Sequence, residues 1–265
     1  MAMQNWKGFL MPYEQAVDEL KVKLKSIRKE YRKRNEYSPI EFVTGRVKEV
    51  SSLLEKANKF GIPLDRVGQE MEDIAGIRIM CQFVDDIDTV IELIRARRDM
   101  QILYEKDYVR NVKQSGYRSY HMIIKYTVYM AEGPRDILAE FQIRTLAMNF
   151  WATIEHSLNY KYKQHIPKEI QEKLKEAADS AFNLDEQMLE IKDEIKDAQR
   201  LFEVKSDIIT NIMNNIMTLM SIGKTAEASR YQIMLNKLVD EGEVWELNNL
   251  LSSIKKDIIR YKESE

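Results

Sequence analysis

The sequence predicts an α/β chain of the α+β kind: a small mixed, largely antiparallel sheet flanked by helices, with a helical C-terminal extension. Three observations carry this. From residue 74 the apolar spacing changes from helical to alternating, giving several β-type runs with a helix between the first two. Gly133-Pro134 separates two of those runs, "SYHMIIKYTVYM" and "RDILAEFQIRT", as in an antiparallel hairpin. Beyond Thr145 the chain reads as helix to its end, punctuated by Pro167.

Taken in order, residues 12–34 form the first helix, with Val17, Leu20, Leu24 and Ile27 as its apolar stripe and Lys21, Lys25, Arg28 and Arg32 on a neighbouring face. "NEYSPIEF" breaks it. Ser38-Pro39-Ile40-Glu41 has the pattern of a capping box, predicting a second helix that runs to about Phe60 and stops at Gly61-Ile62-Pro63. The strand "IAGIRIMCQF" follows, then a helix over 86–98, the strand "QILYEKDYV", and the two strands of the hairpin. No internal repeat or low-complexity tract interrupts this order.

The 265 residues suffice for one domain with an appendage or for two small domains. A formal net charge of -2 means that any nucleotide or nucleic-acid binding must come from local patches. "MAMQNWKGFLMPYEQ" lacks the apolar core of a signal peptide and no apolar run is long enough to cross a bilayer, so a cytoplasmic protein is expected. Cys81 reads as a buried, reduced thiol. His121, His156 and His165 form no HExxH or Cys/His cluster, which argues against a histidine-built metal site.

The stretch "SGYRSYHMIIKY", residues 115–126, enters a strand through a glycine turn flanked by Lys113 and Arg118 and carrying Tyr117. Cations around an aromatic ring suit a phosphate-bearing ligand with a flat base. Period two places Glu140, Gln142 and Arg144 on one strand face, a pattern that a salt-bridged solvent face shares. Asp73 just ahead of a strand and Arg78 within one sharpen the picture. A cation among strand apolars needs a partner, and two carboxylates on neighbouring strands suit Mg²⁺, which takes a few carboxylates plus phosphate oxygens and water. Lys48, Ser52, Lys56 and Lys59, at spacings of four, four and three, make a polar row whose counter-charge a triphosphate would supply, unless it is simply a solvated face. Val47, Val50, Leu54 and Ala57 are expected to face inward, and Arg46 could stack on a base.

With "SPIEFVTGRVK", "EDIAGIRIMCQF", "KQSGYRSYHMI" and "EFQIRTLAMNFWATIEHSLNYKY" in this order, residues 6–200 resemble the small alarmone synthetases of RelQ type, relatives of the RelA/SpoT synthetase domain. The resemblance implies a nucleotidyltransferase-like fold, with the synthetase domain over 1–166, a family-like helix over 167–205 and an extension over 206–265. It implies Mg²⁺-dependent transfer of pyrophosphate from ATP to the 3′-oxygen of GTP or GDP, giving pppGpp or ppGpp and AMP, with no hydrolase activity. Arg46 and Arg78 would sandwich the adenine, and Lys48, Ser52, Lys56 and Lys59 would hold the ATP phosphates. Asp73 and Glu140 would bind Mg²⁺, with Glu140 also the base. Tyr117 would stack on guanine, and Lys113, His121 and Gln142 would contact the acceptor. Lys59 stands where close relatives carry arginine.

The resemblance further implies a homotetramer with pppGpp bound allosterically through Lys21, Lys25, Phe42, Thr44 and Asn149. A solvated lysine face with Phe42 in the core fits those residues equally well. Alternatives to the synthetase are a toxic relative that pyrophosphorylates the tRNA 3′ end, and an inactive module that binds alarmone or RNA. Single-stranded RNA is a further expected partner of the basic N-terminal helix. The stripe Ile209, Ile212, Met213, Ile216, Leu219 and Met220 is expected to be a packing or oligomer surface.

Overall fold

The computed structural model describes residues 5–161 and 167–263. The chain divides into two compact units, 1–189 and 190–265. In the first, α1 (Trp6–Lys33) leads into β1 (Phe42–Val47) and α2 (Val50–Phe60), then the short α3 (Val67–Glu70), β2 (Ala75–Cys81), α4 (Val84–Arg95) and β3 (Gln101–Asp107). The hairpin β4 (Tyr120–Met130) and β5 (Gly133–Thr145) completes a sheet of order β1-β2-β5-β4-β3. Only the β2–β5 pairing is parallel. α5 (Leu146–Lys161) follows, and α6 (Lys168–Ser221) begins just after Pro167.

The sheet has two unlike faces because its residues alternate. Val43, Ile77, Ile79, Phe141, Ile143, Met122 and Ile124 are buried in the core beside Leu20 and Leu24 of α1 and Val90 and Ile94 of α4. Gly45 allows α1 to lie this close: a Cβ there would come within 2.8 Å of Val17 and Ile77. The opposite face carries Thr44, Arg78, Gln142 and His121 in one cross-strand row, with Arg46, Gly76 and Glu140 in the next.

One expected helix start is corrected. Residues 42–47 form an edge strand, and α2 begins only at Val50. Ser38 closes a local turn, its Oγ accepting from the Ile40 amide at 3.2 Å. Glu41 accepts from Arg28 at 2.7 Å and Gln82 at 2.9 Å instead of capping a helix. The alternation of Val43, Gly45 and Val47 with polar residues, satisfied by six backbone-paired positions on β2, outweighs the capping signal. The inward residues of α2 are consequently Leu53 and Ala57, while Leu54 is exposed. The stop at Gly61 is as expected, with a left-handed φ of 66°.

In the second unit, the end of α6 packs with α7 (Thr225–Glu241) and α8 (Val244–Lys262). Ile212, Ile216 and Leu219 are buried against Ala228, Leu235, Leu247 and Ile254. Most of the stripe expected to be a packing or oligomer surface is therefore a packing surface, covered by this unit's own helices. Met213 and Met220 stay exposed. No helix among the described residues is long and apolar enough to cross a membrane. Cys81 is buried, and burial pushes its thiol well above the usual range.

Candidate active site

The polar face of the sheet opens into a cleft of about 260 Å³ lined by Thr44, Gly45, Arg46, Asp73, Gly76, Arg78, Glu140 and Gln142. At its β4–β5 side lies a closed ring of hydrogen bonds. Arg144 Nη2 donates to the Tyr117 hydroxyl at 3.0 Å, which shares a 2.7 Å bond with His121 Nε2. His121 Nδ1 lies 2.8 Å from Glu140 Oε1, the Gln142 amide donates to Glu140 Oε2 at 2.7 Å, and Arg144 also donates to Gln142 Oε1. The register that pairs His121 with Gln142 across β4 and β5 makes the ring possible.

Burial pushes the Glu140 carboxyl up, but the bonded His121 imidazole and Gln142 amide outweigh it and leave the group below the ordinary range. Asp73 shows the same balance, burial opposed by Lys48 and Lys56, with the net shift downward. Lys48 reaches Asp73 Oδ2 at 2.6 Å, brought there because its backbone N–H bonds the Ile74 carbonyl beside β2. Lys56 lies 2.8 Å from Oδ1 as an ion pair. Ser52 is half-buried one turn before Lys56. Lys59 is not brought to this cluster: it is exposed, its ammonium 5.9 Å from the Phe60 ring centroid.

The partner expected for Arg78 is absent among the described residues. Its guanidinium is held below the usual range by burial, then by Arg144 and Arg46. Burial likewise lowers Arg144, whose Nε is buried and unpaired. The face therefore gathers three arginines and two lysines around two carboxylates. It has the electrostatics of a polyanion site.

Tyr117 does not project freely from its turn. It is half-buried, its hydroxyl taken up in the ring and its body packed beside Trp151, Ala152 and Ala178. The exposed Lys113 sits 4.2 Å from the centroid of Tyr108 and 4.9 Å from that of Tyr117. Arg118, the other flanking cation, turns away from the cleft onto α6, where it pairs with Asp179 at 3.1 Å. Tyr108 was missed by sequence reasoning. It packs edge-on against His121 at 5.2 Å, and its only signal was a tyrosine within a cation-rich loop.

Asp73 and Glu140 lie close enough that the charge of Asp73 raises Glu140. Once Lys48 and Lys56 are drawn off Asp73, these two carboxylates fit a hard cation that completes its shell with phosphate and water. No group of three or more His, Cys, Asp or Glu side chains suited to a metal occurs among the described residues.

The remaining residues are dispersed. Phe42 and Thr44 share the cleft face of β1 with Arg46, whereas Lys21 and Lys25 lie on α1, which packs on the other face. Lys21 pairs with Asp18 at 3.1 Å, and the Asn149 Oδ1 on α5 is buried without a donor.

Residues 45–165 match the RelA_SpoT family, the region found in RelA / SpoT proteins. The chain is 54% identical over 202 residues to the GTP pyrophosphokinase YjbM of Bacillus subtilis, spanning 76% of this chain and 95% of that protein. It also superposes with a TM-score of 0.70 and 54% identity on the crystal structure of small alarmone synthetase 1 from Bacillus subtilis bound to its product pppGpp, over 73% of this chain and 99% of that one. The chain belongs to the small alarmone synthetase family. A second relative of this synthetase is the GTP pyrophosphokinase YwaC of Bacillus subtilis, 40% identical over 195 residues, or 73% of this chain and 93% of YwaC. Both relatives are GTP pyrophosphokinases, which disfavours the tRNA-modifying and inactive alternatives for the synthetase.

Proposed function

We propose that the protein makes pppGpp and ppGpp by transferring the β,γ-pyrophosphoryl group of ATP to the 3′-oxygen of GTP or GDP. The 3′-oxygen attacks the β-phosphorus, the bond from that phosphorus to the α,β-bridging oxygen breaks, and AMP leaves with that oxygen. Glu140 takes the 3′-hydroxyl proton. Such transfer is mostly alignment and charge neutralisation, and in-line placement can remove roughly 7–11 kcal/mol of the barrier. The observation that carries the reading is the Glu140 carboxylate, held in a hydrogen-bonded ring by His121 and Gln142 in a cleft that Arg46 and Arg78 line and Arg144 borders.

Arg46 and Arg78 flank the cleft where adenine would lie, and Lys48, Ser52 and Lys56 would meet the ATP phosphates once these draw the lysines off Asp73. Lys59 would need a different rotamer to join them. Tyr117 would carry guanine, with Lys113, His121 and Gln142 around the acceptor. Mg²⁺ bound by Asp73 and Glu140 would neutralise charge on the transferred group. Quantifying alarmone and AMP from ATP with GTP or GDP, in wild type and Glu140→Gln, tests this. Equal yields from both proteins, or none from wild type, contradict it.

A homotetramer that binds pppGpp belongs to the same proposal. Lys21 and Lys25 lie on α1, behind the sheet from Phe42 and Thr44, and a second protomer would complete a site that uses them with Asn149. Light scattering with and without pppGpp tests it, and a monomer in both conditions contradicts it. We further propose that the basic N-terminal helix binds single-stranded RNA and that the protein works in the cytoplasm.

A further inference from the structure

We propose that Arg118, with Asp179, is a positioning residue for the acceptor nucleotide, fastening the Tyr117 loop to α6; the proposal rests on the reading of Tyr117 as the guanine platform. The contacts lie on both sides of that tyrosine. On one side, Gly116 has a φ of +87° and a Cβ there would meet the Ala178 side chain at 2.6 Å, so only glycine permits this approach to the helix. On the other, the Arg118 guanidinium donates to Asp179 Oδ1 at 3.1 Å, to the Ala178 carbonyl at 3.4 Å and to the Gly116 carbonyl at 3.3 Å. It also lies 4.4 Å from the centroid of Phe182.

The arrangement is more than a surface ion pair. The Arg118 side chain is only 11% exposed, and its Nε is buried without a partner. A guanidinium spends its planar, multi-donor geometry here on holding backbone, a job an ammonium does poorly. Trp151 donates to the Leu174 carbonyl at 2.7 Å, so α5 is tied to the same stretch of α6, and the Tyr117 ring packs against Trp151 and Ala178. The direction of Tyr117 is thus set by α6 as well as by the strand it precedes. Arg118 never reaches the cleft, yet its loss would let the stacking ring turn.

Arg118→Lys and Asp179→Ala separate this from a general structural role. Asp179 is half exposed, so its variant serves if changes at Arg118 impair folding. Three readouts are used: equilibrium binding of GTP, amide hydrogen exchange at Lys113 and Gly116, and KM for each substrate. Exchange at these two amides reports the loop turn, because Gly116 N–H bonds the Lys113 carbonyl at 2.8 Å and Lys113 N–H the Tyr117 carbonyl at 3.3 Å. Expected are faster exchange in both variants and a KM for GTP raised by about five- to a hundred-and-fiftyfold, the range that losing a base–aromatic stack spans. The KM for ATP should stay within about twofold, since its cleft is untouched. Unchanged exchange and GTP binding, or equal rises in KM for both substrates, overturn the proposal. Failure of the wild-type protein to make alarmone counts against the proposed function, while exchange and GTP binding still judge the clamp.

Discussion

At the residue scale, the cleft depends on carboxylates already engaged by protein groups. Glu140 accepts from His121 and Gln142 and is held ionised below the ordinary carboxylate range. Glu140→Gln can keep one acceptor in the ring but cannot take a proton, so kcat should fall at least about 10²–10⁴-fold with the circular dichroism spectrum unchanged. Activity within tenfold of wild type would remove Glu140 as the base. Asp73 is covered by two ammonium groups that a divalent cation must displace. Lys56→Met should therefore strengthen Mn²⁺ binding in the absence of nucleotide, read by electron paramagnetic resonance, while raising the KM for ATP. Weaker or unchanged Mn²⁺ binding would mean that Lys56 does not compete for Asp73. The shared face of Glu140, Gln142 and Arg144 was legible from period two alone. That His121 and Tyr117 close it into a ring was not, because this follows from cross-strand register.

At the scale of elements, local signals misled where pairing competed with them. "SPIEFVTGRV" holds both a capping pattern and a strand alternation, and only the presence of β2 decides between them. Lys48 consequently sits ahead of α2, where its backbone bond to Ile74 brings it to Asp73 more directly than a place on the helix would. The junction of β5, α5 and α6 holds a feature no sequence pattern announces. Thr145 Oγ1 accepts from the Met148 amide at 3.1 Å, capping α5, and donates to the buried Asp185 at 2.6 Å. Burial pushes the Asp185 carboxyl up to about 6, against the opposing pull of Thr145. The folded chain then binds this proton more tightly than the unfolded chain, so stability is lost as pH rises from near 4 to about 6. Asp185→Asn keeps an acceptor for Thr145 and carries no charge. It should raise Tm at pH 8 by a few degrees, on the order of 1–2 kcal/mol, and gain nothing at pH 4. A lower Tm at pH 8 would show that the ionised form is the one the fold favours.

At the scale of the molecule, two cores lie in one chain, and the sequence disclosed them unequally. The spacing of Ile212, Ile216 and Leu219 announces a buried face, but periodicity cannot say that α7 and α8 cover it. In the first unit, by contrast, the hairpin, the crossing helix α4 and the alternating runs of β2, β4 and β5 made most of the mixed sheet readable in advance, β1 excepted. A sheet with one apolar and one polar face leaves the second free for chemistry, and there it gathers cations around two carboxylates. The central claim is that this face passes a pyrophosphoryl group intact to a ribose 3′-oxygen. ³¹P nuclear magnetic resonance of the products from ATP and GTP, run with the purified protein and Mg²⁺, tests it most directly. The account predicts AMP and a guanosine carrying a 3′-pyrophosphate in equal amounts, with no ADP or free phosphate. ADP as the adenine product, or a guanine nucleotide left unmodified while ATP is consumed, would contradict it.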